Sequence, residues 1–154
     1  MFIVIGASTW WLNNMTYNQI VTIYNKEVNQ AAFAFGLPPS LIYAIIKTES
    51  GGNFLTVGST NDFGLMQITK PALLDYNRLT GSSVSMLQLW TEPNTNIHVG
   101  SWYLSHMFQI FDNTEKAISA YNQGIGNVRN NTYNKDYFNK VIINQQLFIK
   151  ELTQ

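Results

Sequence analysis

The feature that most constrains this chain is a carboxylate set into an apolar helical stripe. Leu41, Ile42, Ile45 and Ile46 recur at helical spacing, and Glu49 follows Ile45 by four residues and Ile42 by seven, so the acid falls on their face. A carboxylate on a buried face is either paired with a cation or carries a raised pKa, because desolvation disfavours its charged form. A raised pKa suits a general acid. Gly51 and Gly52 come next and supply the left-handed conformations that end helices, which puts Glu49 in a last turn beside a loop. Taken alone, a glutamate near a helix end is usually a solvated side chain, so more of the sequence must agree before chemistry is assigned to it.

The turn-rich Gly58-Ser59-Thr60-Asn61-Asp62 leads into Phe63-Gly64-Leu65-Met66-Gln67-Ile68, an apolar run interrupted by one amide. Gln67 needs hydrogen-bond partners if buried, and a sugar is one source of them. Around this stretch the periodicity is helical. Ile20, Tyr24, Val28, Ala31 and Phe35 mark a helix from Tyr17 that Gly36 ends, and Pro38-Pro39 starts the next near Pro39. Thr69 caps a helix with Pro71 in its first turn and Leu73 and Leu74 beyond, before Asn77 to Ser83 breaks the pattern. Met86 to Trp90 forms a short helix, and Glu92 to Asn96 reads as a connector.

Ile97, Gly100, Leu104, Met107 and Phe111 then mark a core helix. Gly100 on its inner stripe costs roughly 1 kcal/mol of helix propensity, which predicts a close approach of another backbone. Asp112-Asn113-Thr114 caps a helix through Ala117, Ile118 and Tyr121, closed by Gly124, so Tyr121 and Asn122 are placed at a helix end facing the same cleft. A last helix from about Asp136 presents Phe138, Val141, Ile142, Phe148 and Leu152 and is read as packing only. The strand signal is weak and confined to Leu55 to Ile68, where the loop after Glu49 has room for a short β-hairpin; the class is mainly α.

Glu49-Ser50-Gly51, then Gly64-Leu65-Met66-Gln67-Ile68, then Ala120-Tyr121-Asn122-Gln123-Gly124 resemble three motifs of the soluble lytic transglycosylase family, in the family's order. The resemblance runs from about Leu37 through Asn96-Ile97-x-x-Gly100-x-x-Tyr103-Leu104 to Val128. It implies a single lysozyme-like catalytic domain over residues 1–154, with an N-terminal apolar segment at 1–15 and a motif-bearing core at 37–130. It also implies a substrate, the glycan strands of peptidoglycan, and action at the bacterial cell wall from the periplasm, the outside or a virus-encoded protein.

In that family a protonated glutamate, here Glu49, donates to the leaving oxygen of the N-acetylmuramic acid β-1,4 N-acetylglucosamine bond. The acetamido carbonyl assists the oxocarbenium-like centre, and the ionised glutamate then takes the 6-hydroxyl proton to close a 1,6-anhydro ring. By matching position, Met66 and Gln67 would line the sugar site, Tyr121 would orient Glu49 or its neighbour, and Asn122 would bind the acetamido region. Ser59 is the nearest candidate for the family's sugar-binding serine, although the loop differs in length. Gln123 stands where the family usually has alanine, which leaves the local shape of the third motif open.

Two alternatives remain. A goose-type lysozyme-like muramidase would use Glu49 with Asp62 as second carboxylate, against the plainer reading of Asp62 as a loop aspartate capping a turn. A non-catalytic glycan-binding or virion structural module would keep the cleft without the reaction.

Composition trims the list of other functions. Nine basic and nine acidic residues leave a net charge of zero, with 12% of residues charged, so no basic field draws the chain onto nucleic acid. With no cysteine there is neither a disulfide framework nor a thiolate nucleophile. His98 and His106 lack metal-ligand spacing, Gly124 to Arg129 has arginine in place of the third glycine of a dinucleotide loop, and no metal or cofactor is expected. Phe2-Ile3-Val4-Ile5 and Trp10-Trp11 resemble half a targeting signal but have no preceding basic residue and too short an apolar run to span a bilayer. They are read as a segment packed on the domain, with no stable membrane insertion and a monomer as the expected state. Tryptophans and the eight tyrosines are mostly core, with one or two free to stack on sugars.

Overall fold

The computed structural model describes residues 15–154; the reading of residues 1–12 as a packed apolar segment lies outside them. Helix α1, Tyr17–Phe35, starts on a reciprocal capping box between Thr16 and Gln19 and stops at Gly36 with φ 65°. Helix α2, Pro39–Ser50, begins directly after Pro38 and stops at Gly51, φ 62°. Both follow the periodicity and the glycine stops closely.

A two-stranded antiparallel hairpin comes next. Strand β1, Asp62–Phe63, pairs with β2, Ile68–Thr69, in the register Asp62 with Thr69 and Phe63 with Ile68. Thr69 caps α3, Lys70–Thr80, by accepting from the Ala72 amide. This helix continues through residues 77–80, where a break was expected, and ends at Gly81. Asn77 is polar but employed: its amide donates to the Val84 carbonyl and accepts from the Val84 amide, tying the following loop back to the helix.

Helix α4, Met86–Thr91, is capped by Ser85 with Gln88. Helix α5, Pro93–Ile110, starts four residues before Ile97, because Pro93 occupies a first-turn position where its missing N–H costs nothing. The expected connector is thus mostly helix. Helix α6, Thr114–Gln123, is capped by Asn113, and α7, Ile125–Arg129, is a single short turn that the periodicity does not reveal. Helix α8, Asp136–Leu152, closes the described chain.

The core lies between α2 and the helices around it. Ile42, Tyr43, Ile45 and Ile46 are fully buried, and α8 packs most extensively against them. Phe148 of α8 stacks on Tyr43 at 5.3 Å and meets the Tyr17 ring edge-on at 4.7 Å. Gly100 of α5 does allow a close approach, but its neighbour is a side chain: a Cβ there would lie 2.6 Å from the Met66 sulfur and 2.7 Å from its Cβ. Of the two tryptophans described, Trp102 stacks on His106 and Trp90 donates to the Leu55 carbonyl. No described helix is long and apolar enough to cross a membrane.

Candidate active site

Glu49 occupies the last turn of α2, partly buried, where the sequence places it. Burial pushes its carboxyl up to about 7 from the ordinary 4.5, and the nearby negative charge of Asp62 pushes the same way. One hydrogen bond opposes the rise: the Tyr137 hydroxyl donates to Glu49 Oε1 at 2.6 Å. Tyr137 is itself buried, and desolvation together with the Glu49 charge holds its hydroxyl well above the usual tyrosine range, so it remains a donor.

The three sequence motifs converge on residues 64–67. Ser50 Oγ, one residue past Glu49, donates to the Leu65 carbonyl at 2.8 Å. Asn96 of α5 is buried; its amide oxygen accepts from the Met66 N–H at 2.8 Å, and its NH₂ donates to the Phe63 and Leu89 carbonyls. Tyr121 of α6 donates to the Met66 carbonyl at 2.8 Å. The loop thus has one tie to each of three helices. Gln67 needs them, since it sits at φ 48°, a left-handed conformation costly for a residue with a Cβ. Its NH₂ is taken up by the Gly64 and Thr56 carbonyls at 2.8 and 3.1 Å, so the loop itself supplies partners that a sugar was expected to supply.

Two cavities meet at Asn122, which is exposed on the end of α6. One, of about 300 Å³, is lined by Gln67, Thr69, Tyr103, Tyr121 and Gln123 among others. The second, of about 330 Å³, holds Glu49, Thr48, Asn134, Asp136, Tyr137 and Lys140. Glu49, Gln67, Tyr121 and Asn122 therefore share one cleft.

Three of the expected residues, Met66, Ser59 and Asp62, line neither cavity. Met66 is fully buried and points inward against Gly100 and Ser101, so its side chain does not line the cleft as expected; only its backbone is engaged there. Ser59 is exposed in the turn before β1 and lines neither cavity. Asp62 accepts from the Thr60 amide and hydroxyl at 3.2 and 2.7 Å, the turn-capping arrangement, while its charge still reaches Glu49. The Tyr121 hydroxyl points to Met66 and not to Glu49. Gln123, where the resemblance departs from the family pattern, exchanges two hydrogen bonds with the Asn134 backbone and so ties the connector before α8 to the end of α6.

Tyr137 is the residue that sequence reasoning missed. Of the residues that the sequence places on the inner face of the last helix, Phe138, Val141, Ile142, Phe148 and Leu152, Val141 and Phe148 are buried, and Tyr137 is buried with them, at steps of four and seven. That stripe carries a hydroxyl on a buried face, and such a group requires a partner.

Comparison with known proteins bears on the family and the fold. The model of the transglycosylase SLT domain matches residues 26–144. Invasion protein IagB of Salmonella typhimurium strain LT2 is 31% identical over 122 residues, covering 71% of this chain and 74% of that protein. Membrane-bound lytic murein transglycosylase C of Photorhabdus laumondii is 32% identical over 115 residues; the match spans 68% of this chain but 32% of that protein. Among solved structures, the 70 kDa soluble lytic transglycosylase of Escherichia coli superposes with a TM-score of 0.75 at 24% identity, over 84% of this chain and 24% of that one. The complex of the 70-kDa soluble lytic transglycosylase with bulgecin A gives 0.67 at 26%, over 88% and 21%. The fold is the same lysozyme-like one, and the chain belongs to the transglycosylase SLT domain family, a family of enzymes.

Proposed function

We propose that this chain is a peptidoglycan lytic transglycosylase that cuts the β-1,4 bond between N-acetylmuramic acid and N-acetylglucosamine, with Glu49 as acid and then base. The observation that carries the reading is the Glu49 carboxyl itself, raised to about 7 at the wall of a cleft. Near neutral pH a large share of it is protonated and able to donate to the leaving oxygen. Because Oε1 accepts from Tyr137, the transferable proton belongs on Oε2. Once that proton has left, the carboxylate accepts the proton of the muramic 6-hydroxyl as its oxygen bonds to the anomeric carbon. The 1,6-anhydro ring closes and the glutamate returns to its acid form. One carboxylate serves both steps.

Tyr137 positions Glu49 through its hydrogen bond, and Tyr121 acts one step removed, holding the backbone that carries Gln67. Asn122, exposed where the two cavities meet, would bind the acetamido group in this reading. The muramidase alternative needs Asp62 to activate water, and the Asp62 carboxylate is already turned into its own turn. Mass spectrometry of material released from purified walls tests the reading. Products ending in 1,6-anhydro-muramic acid, one water lighter than a reducing end, are expected. Reducing ends would identify a hydrolase, and a protein that sediments with walls without releasing anything would be a binding module.

A further inference from the structure

Gln123, which stands where the family usually has alanine, is the last residue of α6 and lies on the wall of the cleft. Its side-chain amide pairs with main chain as a neighbouring strand would. Nε2 donates to the Asn134 carbonyl at 2.8 Å, and Oε1 accepts from the Asn134 amide at 3.0 Å. Both polar atoms of the side chain are thereby turned to residue 134, and an alanine would make neither bond.

Asn134 passes this grip on to α8. Its Oδ1 accepts from the Asp136 amide at 3.1 Å, at the start of a helix whose N-cap, Lys135, contributes no side-chain bond. The amides of an opening turn have no partners within their own helix, so the turn frays unless something outside holds it. Tyr137 lies in that turn, next to Asp136, and its hydroxyl donates to Glu49 Oε1 at 2.6 Å. The path from Gln123 to the acid is therefore short. The connector before α8 has other ties, of a different kind. Tyr133 and Lys135 reach Glu115 with the tips of long side chains, at 2.9 and 3.0 Å, and Thr132 donates to the Asn127 carbonyl from its amide and hydroxyl. These keep the connector on α6 and α7 without Gln123. A long side chain can swing while its tip stays bonded, whereas the Gln123 pair holds residue 134 by both its N–H and its C=O.

We propose that Gln123 is a positioning residue for the reaction: by fixing Asn134 it holds the opening turn of α8, and with it the Tyr137 hydroxyl, against Glu49. The inference rests on the reading of Glu49 as the acid. It gives Gln123 a role through Tyr137 and none in contact with glycan, although the residue lines the cleft. Other titratable groups face Glu49 and must be told apart from Tyr137. Asp62 of β1 and Tyr121 of α6 act on it through charge, and Asp136 and Lys140 of α8 line its cavity. On α2 itself, Lys47 is turned to the Met15 carbonyl.

The test compares the unsubstituted chain with Gln123→Ala, Tyr137→Phe and the two combined. A carbon NMR titration of the Glu49 carboxyl, assigned by its loss in Glu49→Gln, needs no substrate. Because the Tyr137 bond opposes the rise of that carboxyl, Gln123→Ala should move its titration to higher pH, by less than Tyr137→Phe does. In the Tyr137→Phe background the same change should move it no further, the mark of two residues acting through one bond. Initial rates on soluble glycan strands should show kcat lowered roughly threefold with KM unchanged, part of the effect of losing one hydrogen bond. An unmoved titration in Gln123→Ala would overturn the proposal. So would a further shift in the Tyr137→Phe background, which would assign the effect to Asp136 or Lys140, or a raised KM at unchanged kcat, which would make Gln123 a glycan contact. Asn134→Ala, at an exposed position, breaks the next link and carries the same expectations should Gln123→Ala fail to fold. If no strand is cut by the unsubstituted chain, the lytic reading falls, and the carboxyl titration still decides whether Gln123 holds Tyr137 to Glu49.

Discussion

Glu49 is held where its charge is unwelcome, and stability should report this. Below about pH 4.5 the carboxyl is protonated in the folded and unfolded chain alike. Between about 4.5 and 7 the unfolded chain releases a proton that the folded one keeps, so stability falls as pH rises, and above about 7 the penalty is complete. Glu49→Gln removes the ionisable group. The variant should match the unsubstituted protein in denaturant stability near pH 4 and exceed it near pH 8 by on the order of 2 kcal/mol, discounted for partial exposure, while wall cleavage is lost. A gain independent of pH would mean that the carboxyl is not raised. Tyr137→Phe tests the hydrogen bond that works against burial. Losing it should lift the Glu49 pKa further, moving the alkaline fall of kcat/KM to higher pH, and should lower kcat roughly tenfold as the acid loses its orientation. An unmoved limb would leave Tyr137 a packing residue.

Among the elements, three distant helices hold the loop at residues 64–67 in addition to its own two-residue strands. Asn96 is its main tie, serving the Met66 amide and the Phe63 and Leu89 carbonyls from within the core. Asn96→Ala takes a side-chain partner from three backbone groups and should cost about 3 kcal/mol in urea denaturation, with cleavage reduced well below the melting temperature as Gln67 shifts. A loss under 1 kcal/mol would show that water replaces the amide, by the same scale. The sequence places Asn96 in a family-like motif but gives no reason for it, since an asparagine after Glu92-Pro93 has the composition of a connector. Only the arrival of residues 63–66 beside it reveals three partners. Ser50 is similar: it reads as a residue between Glu49 and two glycines, yet its hydroxyl joins the first motif to the second.

For the molecule as a whole, α8 links stability to the site. It buries Phe148 against Tyr43 and Tyr17 near one end and presents Tyr137 to Glu49 at the other. Phe148→Ala should cost about 3–5 kcal/mol in denaturant unfolding through the cavity it leaves, and a cost below 1 kcal/mol would mean that α8 is not seated as described. The mainly helical class, the helices at residues 17–35 and 39–50, the glycine stops after them and the position of Glu49 in a last turn were all legible in the sequence, because periodicity and capping act over a few neighbouring residues. The motif resemblance also carried the family. What only the tertiary structure decided is which polar groups meet. Met66 turned out to offer its backbone rather than its side chain, Asp62 serves its own turn, and the hydroxyl on Glu49 comes from Tyr137, 88 residues along the chain. The physical reason is that a hydrogen bond between distant segments depends on where each helix lands after the core has packed, and no local pattern carries that information.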